Sequence, residues 1–262
     1  MNNTSILLFL CALPIILILL FIYSKDKKKE PLLLLLILFG SGIVSCFLVL
    51  RVSELLQYVF PFMNMPVQEM NFLDTLLYSF IGVAFVEEIC KWIMVYFIGY
   101  HNKEFEELYD IIVYAVFVSL GFAFYENIVY IFYIGNIKTA LLRAISAVPG
   151  HACDAIFMGY YLSLAKQFYY RKRKDLEKNN IYLSILIPTV LHGIYDFCLL
   201  LGYKIFIVIF IFFVIYLYLV SIKKVKEIAE SNKLIPKKEK YCKKCGHRVM
   251  NNNCENCGAR QE

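Results

Sequence analysis

The sequence lacks an H-E-x-x-H stretch, which removes the helix on which two histidines one turn apart bind zinc beside a general-base glutamate. No serine stands in a G-x-S-x-G context, so the nucleophile elbow of serine hydrolases is absent too. Nor is there an internal repeat of useful strength, which disfavours a transporter built from duplicated halves. No lysine or arginine precedes the first apolar run, whereas Lys25, Lys27, Lys28 and Lys29 follow it. A secretory signal has the opposite order, so this run is expected to stay as a helix with its N-terminus outside.

What the chain has in abundance is apolar surface. Hydrophobic residues make up 60% and aromatic residues 16%, and the mean hydropathy is +0.62, above the range of soluble domains. The net charge of +6 sits mainly between apolar runs and in the tail, so direct nucleic-acid binding is not expected. Runs of about 20 apolar residues cross a bilayer. Seven can be drawn, at 5–23, 31–50, 72–100, 110–134, 140–168, 181–201 and 205–222. The expected fold class is an all-α polytopic membrane protein of about seven transmembrane helices with a small C-terminal zinc ribbon. The expected organisation is a membrane domain at 1–222, a basic cytoplasmic linker at 223–240 and the ribbon at 241–262.

Positive charge orients the spans. Arg171, Lys172, Arg173, Lys174 and the tail from Lys223 fall inside, whereas Arg51, Lys138, Arg143 and Lys204 are the sparse outer charges. The connection around Lys103 is crowded by Glu104, Glu106 and Glu107 and carries no vote. The C-terminus is therefore expected in the cytoplasm and the protein in the cell membrane. The outer connection at 51–71, with Pro61 and Pro66, reads as an amphipathic connector.

Ionisable side chains are costly at mid-membrane and face a bundle interior or a wet cavity. The third span carries Glu87, Glu88 and Lys91. Glu87 and Lys91 share a helix face at i,i+4, while Glu88 points about 100° away, so one carboxylate can pair and the other stays available. The fourth span carries Glu126 with Asn127 beside it as a hydrogen-bond partner. The fifth has Pro149, His151 and Asp154, and the sixth has Pro188, His192 and Asp196. At about 1.5 Å per residue, Glu87, Glu126, His151 and His192 all fall in the middle third of a span. The two prolines each remove a helix hydrogen bond and can open a cavity beside the histidines.

Peptide hydrolysis fits this set. A carboxylate takes a proton from water, and histidines bind a metal or donate to the oxyanion. Asp154 and Asp196 can orient the histidines. An aspartyl dyad would leave Glu87, Glu88, Glu126 and both histidines unexplained. A non-catalytic scaffold or receptor signalling through the ribbon, and a proton- or metal-coupled transporter, use the same residue types.

In order, these residues resemble the PrsW family of intramembrane proteases, within the CAAX-protease-like superfamily. Glu87-Glu88-x-x-Lys91 is similar to its E-E-x-x-K, and Phe122-x-x-x-Glu126-Asn127 to its F-x-x-x-E-N. His151 and His192 match its later histidine motifs, and Asp196 completes an H-x-x-x-D; the resemblance covers about 72–201. It implies a helical membrane protease, a metalloprotease or a glutamate-dependent enzyme without metal, that cleaves membrane-anchored proteins such as anti-sigma factors. Glu87 or Glu88 would activate the water, with Glu126, His151 and His192 binding zinc or another divalent metal or stabilising the transition state. Lys91 would hold one of the paired carboxylates.

The tail adds Cys242, Cys245, Cys254 and Cys257 as two C-x-x-C knuckles, the spacing of a structural tetrahedral zinc site. A disulfide-linked tail is the alternative, and the reducing cytoplasm favours zinc. The ribbon is expected to take a cytoplasmic protein partner. The other cysteines, Cys11, Cys46, Cys90, Cys153 and Cys198, read as small packing residues within the spans.

Overall fold

The structure is a computed structural model that describes residues 3–134, 136–231, 240–241, 248–249 and 257. Each long apolar run is helical. The α-helices are α1 (Asn3–Lys25), α2 (Leu32–Val59), α3 (Phe72–Leu77), α4 (Val86–Met94) and α5 (Asp110–Ile134), followed by α6 (Ile137–Leu142), α7 (Val148–Tyr170), α8 (Lys174–Leu201) and α9 (Lys204–Ser231). Among the described residues, α1, α2, α5, α8 and α9 are long and apolar enough to cross a membrane. The stretch 72–100 runs from α3 through a π-helical segment Tyr78–Phe85, α4 and a second segment Val95–Tyr100. The stretch 137–170 likewise joins α6 to α7 through a π-helical segment, Arg143–Ala147.

Helix ends differ from the apolar edges. α2 continues to Val59 and α8 starts at Lys174, because a helix outlasts the part of it that is apolar. The linker expected from 223 begins inside α9, which runs to Ser231. Val225 and Ala229 explain this: they carry the buried stripe of α9 past its last aliphatic run. Asn71 and Asn136 begin α3 and α6 by accepting the N–H of Asp74 (2.9 Å) and Thr139 (2.8 Å), the usual N-cap chemistry.

α5 is the axis of the bundle. In its apolar window 78% of residues are buried, against 17–39% in the other four long helices. It packs on α1, α2 and α7, while α7 and α8 pack on each other and α9 closes the outside. Small residues permit the closest approach. A methyl on Gly42 of α2 would stand 1.9 Å from the Val118 carbonyl oxygen, and one on Gly121 of α5 would stand 2.0 Å from that of Phe39. Helix α2 therefore touches α5 backbone to backbone.

Pro149 has no N–H to give to the carbonyl four residues earlier, that of Ile145. The Tyr218 hydroxyl of α9 supplies the missing donor, 2.8 Å from the Ile145 oxygen and 3.1 Å from that of Ser146. A proline in a membrane helix is held in this way by a neighbour. Cys11, Cys46, Cys90, Cys153 and Cys198 are buried free thiols, as expected. At one end of the bundle Tyr109 donates to the Ile22 carbonyl (3.0 Å) and Tyr114 to the Glu30 carboxylate. Burial lifts the Asp26 carboxyl above its ordinary range. It pushes that of Glu30 up to about 8, partly opposed by the Tyr114 hydrogen bond.

Of the expected ribbon, Cys242, Cys245 and Cys254 lie outside the described residues, and Cys257 sits in a turn. Two short strands, β1 (Lys240–Tyr241) and β2 (Arg248–Val249), pair antiparallel, Lys240 opposite Val249 and Tyr241 opposite Arg248.

Candidate active site

Four helices deliver the polar residues to one place. α4 contributes Glu87, Glu88 and Lys91; α5 contributes Phe122, Glu126 and Asn127; α7 contributes His151 and Asp154; α8 contributes His192 and Asp196. Lys91 is the hub. Its Nζ donates to Glu87 Oε2 at 3.1 Å and Glu88 Oε1 at 2.9 Å, and lies 3.3 Å from His151 Nδ1. It also stands 4.0 Å from the Phe122 ring centroid, which gives that phenylalanine a cation–π role. Lys91 and Glu88 are both 0% exposed. The expectation that one glutamate pairs with Lys91 while its neighbour stays free is thus replaced by a lysine shared between both. The i,i+3 and i,i+4 positions flank one long side chain.

An ammonium only donates, so His151 Nδ1 accepts from Lys91 and its Nε2 carries the ring proton. Nε2 stands 3.0 Å from Glu126 Oε2, the acceptor this tautomer needs. The two imidazoles pack edge to face with centroids 5.4 Å apart. In His192, Nδ1 lies 2.9 Å from Glu88 Oε1 and 4.0 Å from Asp154 Oδ2. Its Nε2 lies 3.4 Å from Asp196 Oδ2 and 3.9 Å from Glu87 Oε2.

Sequence reading missed Arg143. It was counted as an outer topological charge, yet its side chain is only 13% exposed and donates to Glu126 Oε2 at 2.6 Å. Its Nε also donates to Asn127 Oδ1 at 2.7 Å, so Glu126 and Asn127 are joined through the guanidinium and not to each other. The ring of Tyr130 lies 3.9 Å beneath it. The signal was available: Arg143 stands inside an apolar run, where a cation marks function before it marks topology.

The residues converge on a cavity of about 860 Å³ whose floor includes Glu87, Glu126, His151, Asp154, His192 and Asp196. Glu88 and Lys91 lie behind that floor. The rest of the lining is mainly apolar, with Val49 and Leu56 on α2, Leu142 and Ile145 before α7, and Ile211 and Ile215 on α9, interrupted by Ser53 and Gln57 on α2 and Ser146 before α7.

The donor set suits a divalent metal. Glu88, His151, Asp154 and His192 each offer a ligand atom within 4.8 Å of the others. Within this group Glu88 Oε2 and Asp154 Oδ1 are buried without a hydrogen-bond partner, and two imidazoles with two carboxylates match zinc. Glu126, expected among the ligands, lies outside this group of four and meets Arg143 and His151.

The sequence profile described as PrsW family intramembrane metalloprotease matches residues 30–221. The chain belongs to the PrsW family. Its relatives include proteins named Protease PrsW from Oceanobacillus iheyensis, 39% identical over 163 residues (62% of this chain, 73% of the relative), and from Halalkalibacterium halodurans, 42% identical over 155 residues (59% and 69%). The Bacillus subtilis Protease PrsW is 36% identical over 155 residues (59% and 68%). No solved structure gives a significant match. As a PrsW family member the protein is an integral membrane protease, a peptidase among the hydrolases.

Proposed function

We propose that the chain hydrolyses membrane-anchored proteins within the bilayer, anti-sigma factors being one candidate substrate class, with Glu87 as the general base. The observation that carries this reading is the convergence of Glu87, Glu126, His151 and His192 on one cavity floor. Of the paired glutamates only Glu87 meets the cavity. Glu88 is fully buried behind it, held by Lys91 and by His192.

In this mechanism Glu87 takes a proton from a water in the cavity, and the water oxygen attacks the peptide carbonyl carbon. His192 Nδ1 donates to Glu88, so an N–H at Nε2 belongs to the imidazolium, flanked by Asp196 and Glu87; in that form it donates to the oxyanion. The proton on Glu87 then passes to the departing amide nitrogen as the C–N bond breaks. Glu88 and Lys91 fix the height of Glu87 and the orientation of His192. Glu126 keeps the His151 proton on Nε2. Glu88, His151, Asp154 and His192 would hold a divalent metal, which when bound supplies Lewis acidity at the water and carbonyl oxygens.

Seven crossings are proposed, with 72–100 and 137–170 joining the five single helices. The N-terminus lies outside and the C-terminus in the cytoplasm of the cell membrane. The domain limits proposed are a protease domain to 222, a linker whose first part is the end of α9, and a zinc ribbon of Cys242, Cys245, Cys254 and Cys257 that recruits a cytoplasmic protein. The β1–β2 pair supports the ribbon, since its two strands flank the first C-x-x-C knuckle in the sequence.

The test uses the purified full chain in proteoliposomes with a single-span reporter substrate. Cleavage is expected, and is expected to vanish in the Glu88→Ala plus His192→Ala variant. Equal cleavage by that variant would sink the assignment. Arg143 is a positioning residue acting through Glu126. Arg143→Gln should lower kcat about 10–100-fold, the usual cost of removing a group that orients a ligand or catalytic histidine, with KM little changed. Arg143→Lys should recover part of that loss, and a KM effect alone would point to substrate binding.

A further inference from the structure

The second concentration of buried charge lies away from the cavity. It sits at the end of the bundle where the α1–α2 connection meets the connection leading into α5. Asp26 comes from the first connection, Glu107 from the second, and Asp110 is the first residue of α5. One carboxylate oxygen from each lies within 4.8 Å of the others. All three are more than nine-tenths buried, with exposures of 3%, 8% and 1%.

The hydrogen bonding around them is incomplete. Both oxygens of Asp26 and the Oδ1 of Asp110 are buried without a hydrogen bond of full geometry, the backbone N–H groups of Lys28 and Glu30 lying near Asp26 without completing one. Asp110 Oδ2 accepts the backbone N–H groups of Glu106 and Glu107, each at 2.8 Å, which fixes this carboxylate and turns its other oxygen inward. The neighbouring lysines are engaged elsewhere. Lys28 pairs with Glu106, and Lys29 donates to the backbone carbonyls of Tyr23 and Asp26. Among the described residues no basic side chain forms an ion pair with Asp26, Glu107 or Asp110. Three close carboxylates with no paired cation, the Lys29 ammonium being held on the Asp26 carbonyl, are a costly arrangement, since buried charge needs a partner.

We propose that Asp26, Glu107 and Asp110 form a binding site for one hard divalent cation of the magnesium or calcium class, which fastens the α1–α2 connection to the start of α5. The donors are all oxygen, with no imidazole or thiolate, and such a set selects hard cations over zinc. The two tyrosine hydrogen bonds beside it, from Tyr109 to the Ile22 carbonyl and from Tyr114 to Glu30, hold the same two chain segments together. The cation completes a clasp whose frame is already built. In the orientation proposed above this face is cytoplasmic, where magnesium is the abundant ion. The site is separate from the protease centre and stands whether or not that centre uses a metal.

The test is made on the full chain in detergent or nanodiscs, stripped with a chelator and titrated separately with magnesium chloride and calcium chloride. One saturable site and a rise in melting temperature are expected with at least one of the two ions. Asp26→Asn and Glu107→Gln should each weaken that binding by tenfold or more, while Glu87→Gln in the protease centre, which keeps the parent's stability, leaves it unchanged. Two variants guard against one that fails to fold. Three results would overturn the proposal: no saturable binding of either ion at millimolar concentration; binding that survives both substitutions or disappears in Glu87→Gln; or both variants melting higher with no response to cations, which would mean that the carboxylates share protons instead.

Discussion

Glu87→Gln is expected to lower the rate of substrate cleavage by about 10²–10⁴-fold, the range that a general base contributes, with the melting temperature close to that of the parent. The amide keeps the shape of the carboxylate and can still meet Lys91, but it cannot accept the proton of an attacking water. Glu87 reaches the cavity while Lys91 holds it from below at 3.1 Å, so the substitution removes chemistry more than structure. Glu88→Gln should behave differently. Glu88 is at the centre of a buried group that includes Lys91 and His192, so its loss should reduce stability together with activity. Measuring kcat and thermal unfolding side by side on the two variants checks the division of roles. If Glu88→Gln alone is inactive and Glu87→Gln retains most of its rate, the assignment of the base is reversed.

Lys91→Met is expected to be the most destabilising single change in the membrane domain. It removes the cation that Glu88, fully buried, and Glu87 share, leaving His192 as the group beside them, and breaking a buried ion pair on one side costs about 3–5 kcal/mol. Methionine fills much of the same volume, so the loss is electrostatic and not a cavity effect. Adding Glu88→Gln to Lys91→Met should restore a substantial part of the stability by removing the stranded charge. Unfolding in mixed micelles, followed by far-ultraviolet circular dichroism, measures both. A Lys91→Met protein as stable as the parent would mean that the paired glutamates do not depend on the lysine.

Much of the site was legible because intramembrane charge is rare enough for each instance to need a reason. Glu87, Glu88, Lys91, Glu126, His151 and His192 were found on that ground, and the structure brings them together. Phe122, Asn127, Asp154 and Asp196 also lie where supporting residues should. What failed was the division between charges that orient the protein and charges that do chemistry. Arg143 falls in the first class by its place near a span end; its position inside an apolar run marks it as functional, but its partner Glu126 shows only in three dimensions. The Asp26, Glu107 and Asp110 group escaped for a related reason. In the connections lysine and arginine carry the topological signal, and three acids from two distant segments meet only once α1 and α5 are packed. Segment limits at 50, 181 and 222 were set by hydropathy, whereas helices end where hydrogen bonding and capping end.

The mainly apolar lining of the cavity, which includes Val49, Leu56, Ile145, Ile211 and Ile215, governs how the enzyme meets its substrate. Each of these residues belongs to a helical stretch of the apolar bundle, so in the proposed membrane setting a polypeptide approaching the floor from this side comes from among acyl chains and meets Ser53 and Gln57 beside them. Encounter is then a two-dimensional diffusion problem. The effective variable is the mole fraction of substrate in the lipid, not its amount per volume of solution. Diluting enzyme and substrate with extra phospholipid should slow turnover at constant bulk concentrations, while diluting the vesicles with buffer should not.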